Sequence, residues 1–326
     1  MEDYRLQTVL LHQIKKKGFT NIEKLFKEVL GLTKSSAYRR VRGETTLALD
    51  EAYKLCKHCG ITLENIIAKT EGQVVINMAS VDKAFETHLD YPKYLLKILR
   101  YITSLPAGEI IYLTNEIPVC YFFTSPLMAA FKMYVWGRNT FHQEALAERQ
   151  FQPDLLTQDP EFKDICWEMI TLYEQIIRTE VWTTGVLKRS LSQIAYCESA
   201  GLFENKKTAE NLRKETDAIL KKTLSPQPHF TKSANRRHLY YQPFFSAEDI
   251  ILIKTDGKPK QVISTFFNPD YFISDDSRLL SRSTRRLDFL LSKSELVVNE
   301  NSFKTMRKVY KKGMREAYRT LQPTAA

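Results

Sequence analysis

Glycine is scarce in this chain and never clustered. There are 11 in 326 residues, and the closest pairs, Gly31/Gly43 and Gly60/Gly72, stand 12 positions apart. A phosphate-cradling loop needs several glycines together, so that backbone amides can approach the anion. Rossmann and P-loop nucleotide binding therefore have no motif here. Gly-x-Ser-x-Gly and His-Glu-x-x-His are also missing. The six histidines (His12, His58, His88, His142, His229 and His238) include no pair three or four apart. By motif the chain is not an enzyme, and no cofactor or metal is expected. Five cysteines are too few for a disulfide framework in a chain this long, and their odd number fits reduced thiols in a cytoplasm. No apolar run reaches the roughly 18 residues a membrane helix needs, so no membrane partner is expected. The opening Met1-Glu2-Asp3-Tyr4 is acidic and lacks the apolar core of a secretory signal.

What remains is ordinary globular composition, with 43% hydrophobic and 26% charged residues. The length suggests two or three domains. Charge is unevenly spread. The formal net charge is +10, made of +5 in residues 1–70, +8 in residues 277–326 and −3 between them. Basic ends around an acidic middle place any contact with a polyanion at the ends. There is no low-complexity stretch and no internal repeat.

Residues 1–70 read as five short helices. In the first, Leu6, Val9, Leu10 and Ile14 share one face, and Lys15-Lys16-Lys17-Gly18 closes it. The second opens on Thr20-x-x-Glu23, a capping-box pattern, and carries Ile22, Leu25, Phe26, Val29 and Leu30 at helical spacing up to Gly31. Thr33 can cap the third helix, about Lys34 to Arg42. That helix has only Ala37 and Val41 as apolar anchors. The rest is Lys34, Ser35, Ser36, Tyr38, Arg39, Arg40 and Arg42, with no acid. The fourth helix puts Leu49, Ala52, Cys56 and Cys59 on one face and ends at Gly60, and Thr62 opens a short fifth with Leu63, Ile66 and Ile67. Cys56-Lys57-His58-Cys59 has no second Cys-x-x-Cys to complete a zinc site, so its cysteines read as core.

A tight helix–glycine turn–helix with a basic second member is the arrangement that reads DNA in helix-turn-helix proteins. The run from Phe26 to Gly43 resembles the lambda-repressor/Cro-like (XRE-type) family, and Leu49 to Ile66 looks like that family's fourth and fifth helices. The resemblance covers roughly residues 5–68. It implies an all-α five-helix DNA-binding domain over residues 1–70, whose third helix lies in the major groove of double-stranded DNA. Lys34, Ser35, Ser36 and Arg39 would then face base edges or nearby phosphates, and Asn21, Tyr38, Arg40 and Arg42 would hold the backbone. The expectation is a cytoplasmic bacterial transcription regulator. The alternative is a protein-interaction or signalling scaffold whose N-terminal domain does not read DNA.

Residues 71–326 read as a regulatory and dimerisation domain: mostly helical α+β with a small antiparallel sheet. A short strand is expected over 73–78, a helix over 82–105, and strands over 109–115 and 118–123. Ser125-Pro126 and Asp159-Pro160 are helix starts, for helices to about Asn139 and Arg178. Further helices follow over 183–200 and 206–223. Strands over 238–245, 249–255 and 261–267 come next, with Asp256-Gly257 as a hairpin turn. Helices over 276–292 and 302–320 finish the chain. Tyr91, Tyr94, Tyr101, Tyr112, Tyr121, Phe122, Phe123, Phe131, Tyr134 and Trp136 read as core, with an effector pocket as the alternative. In the last helix Met306, Val309, Tyr310 and Met314 form an apolar stripe. Arg307, Lys308, Lys311, Lys312, Arg315 and Arg319 stay solvated there, or make a second nucleic-acid contact. A homodimer is expected, because a single small helix-turn-helix reads only a few base pairs.

Overall fold

The computed structural model describes residues 6–63, 66, 74, 76–78, 85–224, 237–242, 249–266 and 269–321, with the backbone alone at 206 and 314–321. The chain divides into two compact units, Met1–Val75 and Ile76–Ala326.

In the first unit the described helices are α1 (Leu6–Lys16), α2 (Ile22–Leu30), α3 (Lys34–Val41) and α4 (Leu49–Cys59). Their buried faces meet on Leu10, Ile14, Phe26, Ala37, Leu55 and Cys56. Two faces differ from the expected ones. Leu6 and Leu49 are exposed, at the first position of their helices, and Leu55 takes the core place on α4. A side chain in the first turn has no earlier turn to lean on and projects past the end of the bundle. The cap of α2 is Asn21 rather than Thr20, and its side chain accepts from the Lys24 amide at 2.9 Å. Most of the expected fifth helix and the stretch 70–73 lie outside the described residues, although Ile66 is buried in this core.

The α2–α3 turn rests on Gly31, whose φ of +67° is left-handed, and on Thr33, whose hydroxyl accepts from the Ser36 amide at 3.3 Å. A Cβ at Gly31 would meet nothing within 4 Å. Gly31→Ala should therefore cost only the left-handed backbone penalty, about 1–2 kcal/mol. Amide exchange of Leu25 and Phe26 in the full chain would report it, and unchanged protection would show that the turn conformation is not required.

The second unit holds β1 (Asn77–Met78), α5 (Asp90–Ser104), β2 (Glu109–Thr114), α6 (Val119–Phe122), α7 (Pro126–Asn139) and α8 (Asp154–Thr157). These are followed by α9 (Pro160–Gln175), β3 (Ile177–Thr183), α10 (Lys188–Ser199), α11 (Lys206–Thr223), β4 (Arg237–Gln242) and β5 (Ile250–Thr255). The chain continues through β6 (Lys258–Thr265), β7 (Tyr271–Ser274), α12 (Ser277–Ser292), β8 (Glu295–Leu296) and α13 (Glu300–Leu321). The eight strands form one sheet in the order β1-β7-β6-β5-β2-β3-β4-β8.

This sheet corrects the expectation of a small antiparallel one. It is large and mixed: β2 runs parallel to β3, and β3 parallel to β4. Strand β3 is the reason. It occupies 177–183, where the sequence pattern continues one helix to Arg178 and starts another near 183. A parallel strand is covered on both faces, so it does not show the apolar/polar alternation of a half-exposed strand. Here one face carries Arg178, Glu180 and Trp182, and the charges mask the run. Residues 118–123 also differ. Pro118 takes the position before the first turn of α6 with φ −46°, and Cys120, Tyr121 and Phe122 are buried as a helical turn rather than as a strand. Helix α5 starts at Asp90, later than the 82 expected, because Pro92 has no amide hydrogen and fits only in a first turn.

Alternation along the strands separates two cores. Ile110 of β2 and Trp182 of β3 face α5, α7, α9 and α13. Ile111, Leu113 and Val181 face the other way, onto Leu287 and Leu290 of α12. The β5–β6 hairpin turns on Asp256 (φ +48°) and Gly257 (φ +72°), both left-handed, which matches the twist of the flanking strands. Both ends of the sheet are two-residue strands, β1 and β8, which offer little open edge.

Candidate functional site

Helix α3 displays what its sequence promises, with two exceptions. Lys34, Ser35, Tyr38, Arg39 and Arg42 are exposed, as is Asn21. The Arg42 guanidinium lies 5.1 Å over the Tyr38 ring. Arg40 and Ser36 are instead turned inward and half-buried. Arg40 donates to the Ser36 hydroxyl at 2.8 Å and to Glu51 at 3.1 Å, with a second contact to Glu51 at 3.0 Å. Burial alone would raise the Glu51 carboxyl, but Arg40 and the Ala48 amide hold it below its ordinary value. The pair therefore ties α3 to the start of α4. Gln7 completes the frame. Its side chain donates to the carbonyls of Arg40 and Thr45 and accepts from the Leu47 amide at 2.9 Å. A lone Gln on α1 gives no sequence signal for this role, because its partners are backbone atoms far along the chain. Cys56 and Cys59 are buried thiols outside any disulfide, and no cluster able to hold a metal occurs among the described residues.

The second unit contains a charged knot that the sequence reading missed. Glu180 is fully buried. One of its oxygens accepts from Tyr121 Oη (2.8 Å), Tyr173 Oη (2.9 Å) and Arg178 Nε (3.1 Å). The other accepts from Trp182 Nε1 (3.1 Å) and from Arg237 at 3.2 and 2.9 Å. Arg178 and Arg237 spend further hydrogens on the carbonyls of Tyr173 and Thr223. Strand pairing places Arg237 directly opposite Arg178. A carboxylate so saturated and held ionised makes a poor general base, so the knot is structural. No local signal marks the knot, because its partners Tyr121, Tyr173 and Arg237 come from three other elements.

A second polar group sits where β2 ends. Lys132, buried in α7, contacts Glu116 and donates to Gln193 at 2.6 Å, and Ser190 donates to Glu116 at 2.7 Å. Burial pushes the Lys132 ammonium down, against the pull of Glu116. The Asn115 amide donates to Asp249 at 2.7 Å. Glu116 and Asp249 line one end of a cavity whose remaining wall is mostly apolar, from α5, α6, β2, β5 and β6. Of the aromatics expected as core or pocket, Tyr91, Tyr112, Phe122 and Trp136 line this cavity. Phe123, Phe131 and Tyr134 are plain core. Tyr121 serves Glu180, while Tyr94 and Tyr101 pack half-buried against the core.

Helix α13 buries Phe303, Met306 and Tyr310, and Tyr310 donates to the Thr183 carbonyl at 2.8 Å. Lys308, Lys311 and Lys312 are exposed, Arg307 pairs with Glu300 at 3.1 Å, and the side chains of Arg315 and Arg319 lie outside the described residues.

No protein-family model, curated protein or solved structure matches this chain. The site is therefore read from its own geometry. Among the described residues no helix is long and apolar enough to cross a membrane.

Proposed function

We propose that the chain is a sequence-specific, DNA-binding transcription regulator of the bacterial cytoplasm. One observation carries this reading. The second helix of a glycine-turned helix pair contains no acid and exposes Lys34, Ser35, Tyr38, Arg39 and, at its C-cap, Arg42, which pairs with Glu44 at 3.8 Å, while its Ala37 side is locked into the bundle. Such a helix enters the major groove, and cations around it take up phosphates. Lys34, Ser35 and Arg39 contact base edges or the phosphates beside them. Asn21, Tyr38 and Arg42 hold the backbone. Ser36 and Arg40 contribute by fixing the helix, since freeing Arg40 for a phosphate would strand Glu51.

The reading includes a homodimer assembled by residues 71–326. Two copies of a short recognition helix, about 34–36 Å apart on one face of the duplex, supply specificity that one copy lacks. The short end strands make edge-to-edge sheet pairing a poor route, so helical surfaces carry the contact.

Arg39→Ala is the direct test. If Arg39 makes a bidentate contact to a guanine, the substitution costs about 1–3 kcal/mol of binding and relaxes preference at one base position. Arg40→Ala should act mainly on stability. Mobility shifts on selected duplexes, with salt titration, measure the first effect, and amide exchange within α2 and α4 measures the second. An unchanged affinity and base preference in Arg39→Ala would remove this helix from DNA reading.

A further inference from the structure

The cavity of the second unit has a chemistry that selects its guest. It leaves about 90 Å³ for the centres of guest atoms, several times the roughly 10–15 Å³ that admits one water. One wall is the aliphatic ladder Leu95, Ile98, Leu99 and Ile102 of α5, and Val119 and Ile263 face into the same space. The polar end is unlike the rest. Glu116 is 3% exposed and lines the cavity. Its Oε1 is taken by Lys132 and Ser190, but Oε2 has only Arg189 NH1, at 3.8 Å, too far for a hydrogen bond. The same NH1 stands 3.8 Å from Asp249 Oδ2, and it is buried with no hydrogen-bond partner. An acceptor without a hydrogen-bond donor thus stands at the end of an apolar chamber.

We propose that this cavity binds an uncharged, mainly hydrocarbon small molecule ending in a hydroxyl or a primary amide. Such a group donates to Glu116 Oε2, the carboxylate oxygen that Lys132 and Ser190 leave open. Charged ends fit poorly. The two carboxylates of Glu116 and Asp249 are balanced by the two cations of Lys132 and Arg189, so a guest ammonium or carboxylate would arrive without a counter-charge of its own and would lose its hydration. The hydrocarbon body fills the space along α5. Binding in this cavity is independent of DNA and is measured without it.

The experiment is calorimetric titration of the full chain with 1-hexanol, hexanamide, hexanoate and hexylamine. Saturable one-to-one binding is expected for the two neutral probes, with the charged pair at least about ten-fold weaker. Two half-buried lining residues allow the space to be filled with little risk to folding. Ile98→Phe and Val119→Phe should each weaken the neutral probes by about ten-fold or more. Tryptophan fluorescence checks that each variant is folded. The indole resonance of Trp136, which lines the cavity, should shift on binding. Absence of saturable binding by both neutral probes would overturn the proposal. Equal or tighter binding of hexylamine or hexanoate would do the same, as would binding that survives in both filled variants.

Discussion

Glu180→Gln is expected to cost the C-terminal unit about 3–5 kcal/mol, the range seen when one member of a buried ion pair is removed. The substitution is nearly isosteric, so packing is preserved and electrostatics dominate. Arg178 and Arg237 would be left in the core without a counter-charge, their side chains 4% and 12% exposed. The amide nitrogen that replaces one oxygen would also face hydrogen donors. All three tryptophans, Trp136, Trp167 and Trp182, lie in this unit, so fluorescence during denaturant unfolding follows it selectively. A pH dependence accompanies the effect. Burial alone would raise the Glu180 carboxyl above 4.5, but Arg237 and Arg178, helped by the tyrosine hydroxyls, hold it below that value. A carboxylate with a depressed folded pKa gives its full stabilisation above its unfolded pKa and loses it as pH falls through the folded one. The wild-type chain should therefore lose this contribution only below about pH 4.5, and Glu180→Gln should lack that part of the acid response. A cost under about 1 kcal/mol at neutral pH would show that the knot is not a stabilising element.

Removing residues 1–75 should bring binding at selected sites down to the non-specific level, a loss of about 10³–10⁷ in affinity. The proposal places all base-reading groups on α3, and the remaining cations supply only salt-sensitive attraction. Residues 76–326 form a unit with its own core, so the truncated chain should stay folded by tryptophan fluorescence. Duplexes selected from a random pool by the full chain should be palindromes with half-site centres about one helical turn apart, bound by two copies in sedimentation. Residues 76–326 retaining the preference for those duplexes would refute the assignment. A monomeric complex on a site without two-fold symmetry would refute the dimer alone.

Much of the first unit is legible in its sequence, because its determinants are local. Leu25 and Phe26 follow Ile22 at helical spacing, Gly31 ends a helix where a left-handed residue is required, and Thr33 caps the next. The basic face of α3 can be read from composition. The inward turn of Arg40 cannot, since it depends on Glu51 from another helix and on Gln7 from a third. The same division runs through the second unit. Ser125-Pro126, Asp159-Pro160 and Asp256-Gly257 announce their helix starts and hairpin, because capping and turn chemistry act within a few residues. Strand β3 could not be recognised this way. Arg178 and Glu180 look like solvated charges until β4 brings Arg237 opposite Arg178, and α6 and α9 bring in Tyr121 and Tyr173. Long-range pairing alone makes those charges affordable in a core. It also makes the sheet large and mixed, and it sets Glu116 and Asp249 at the end of an apolar cavity.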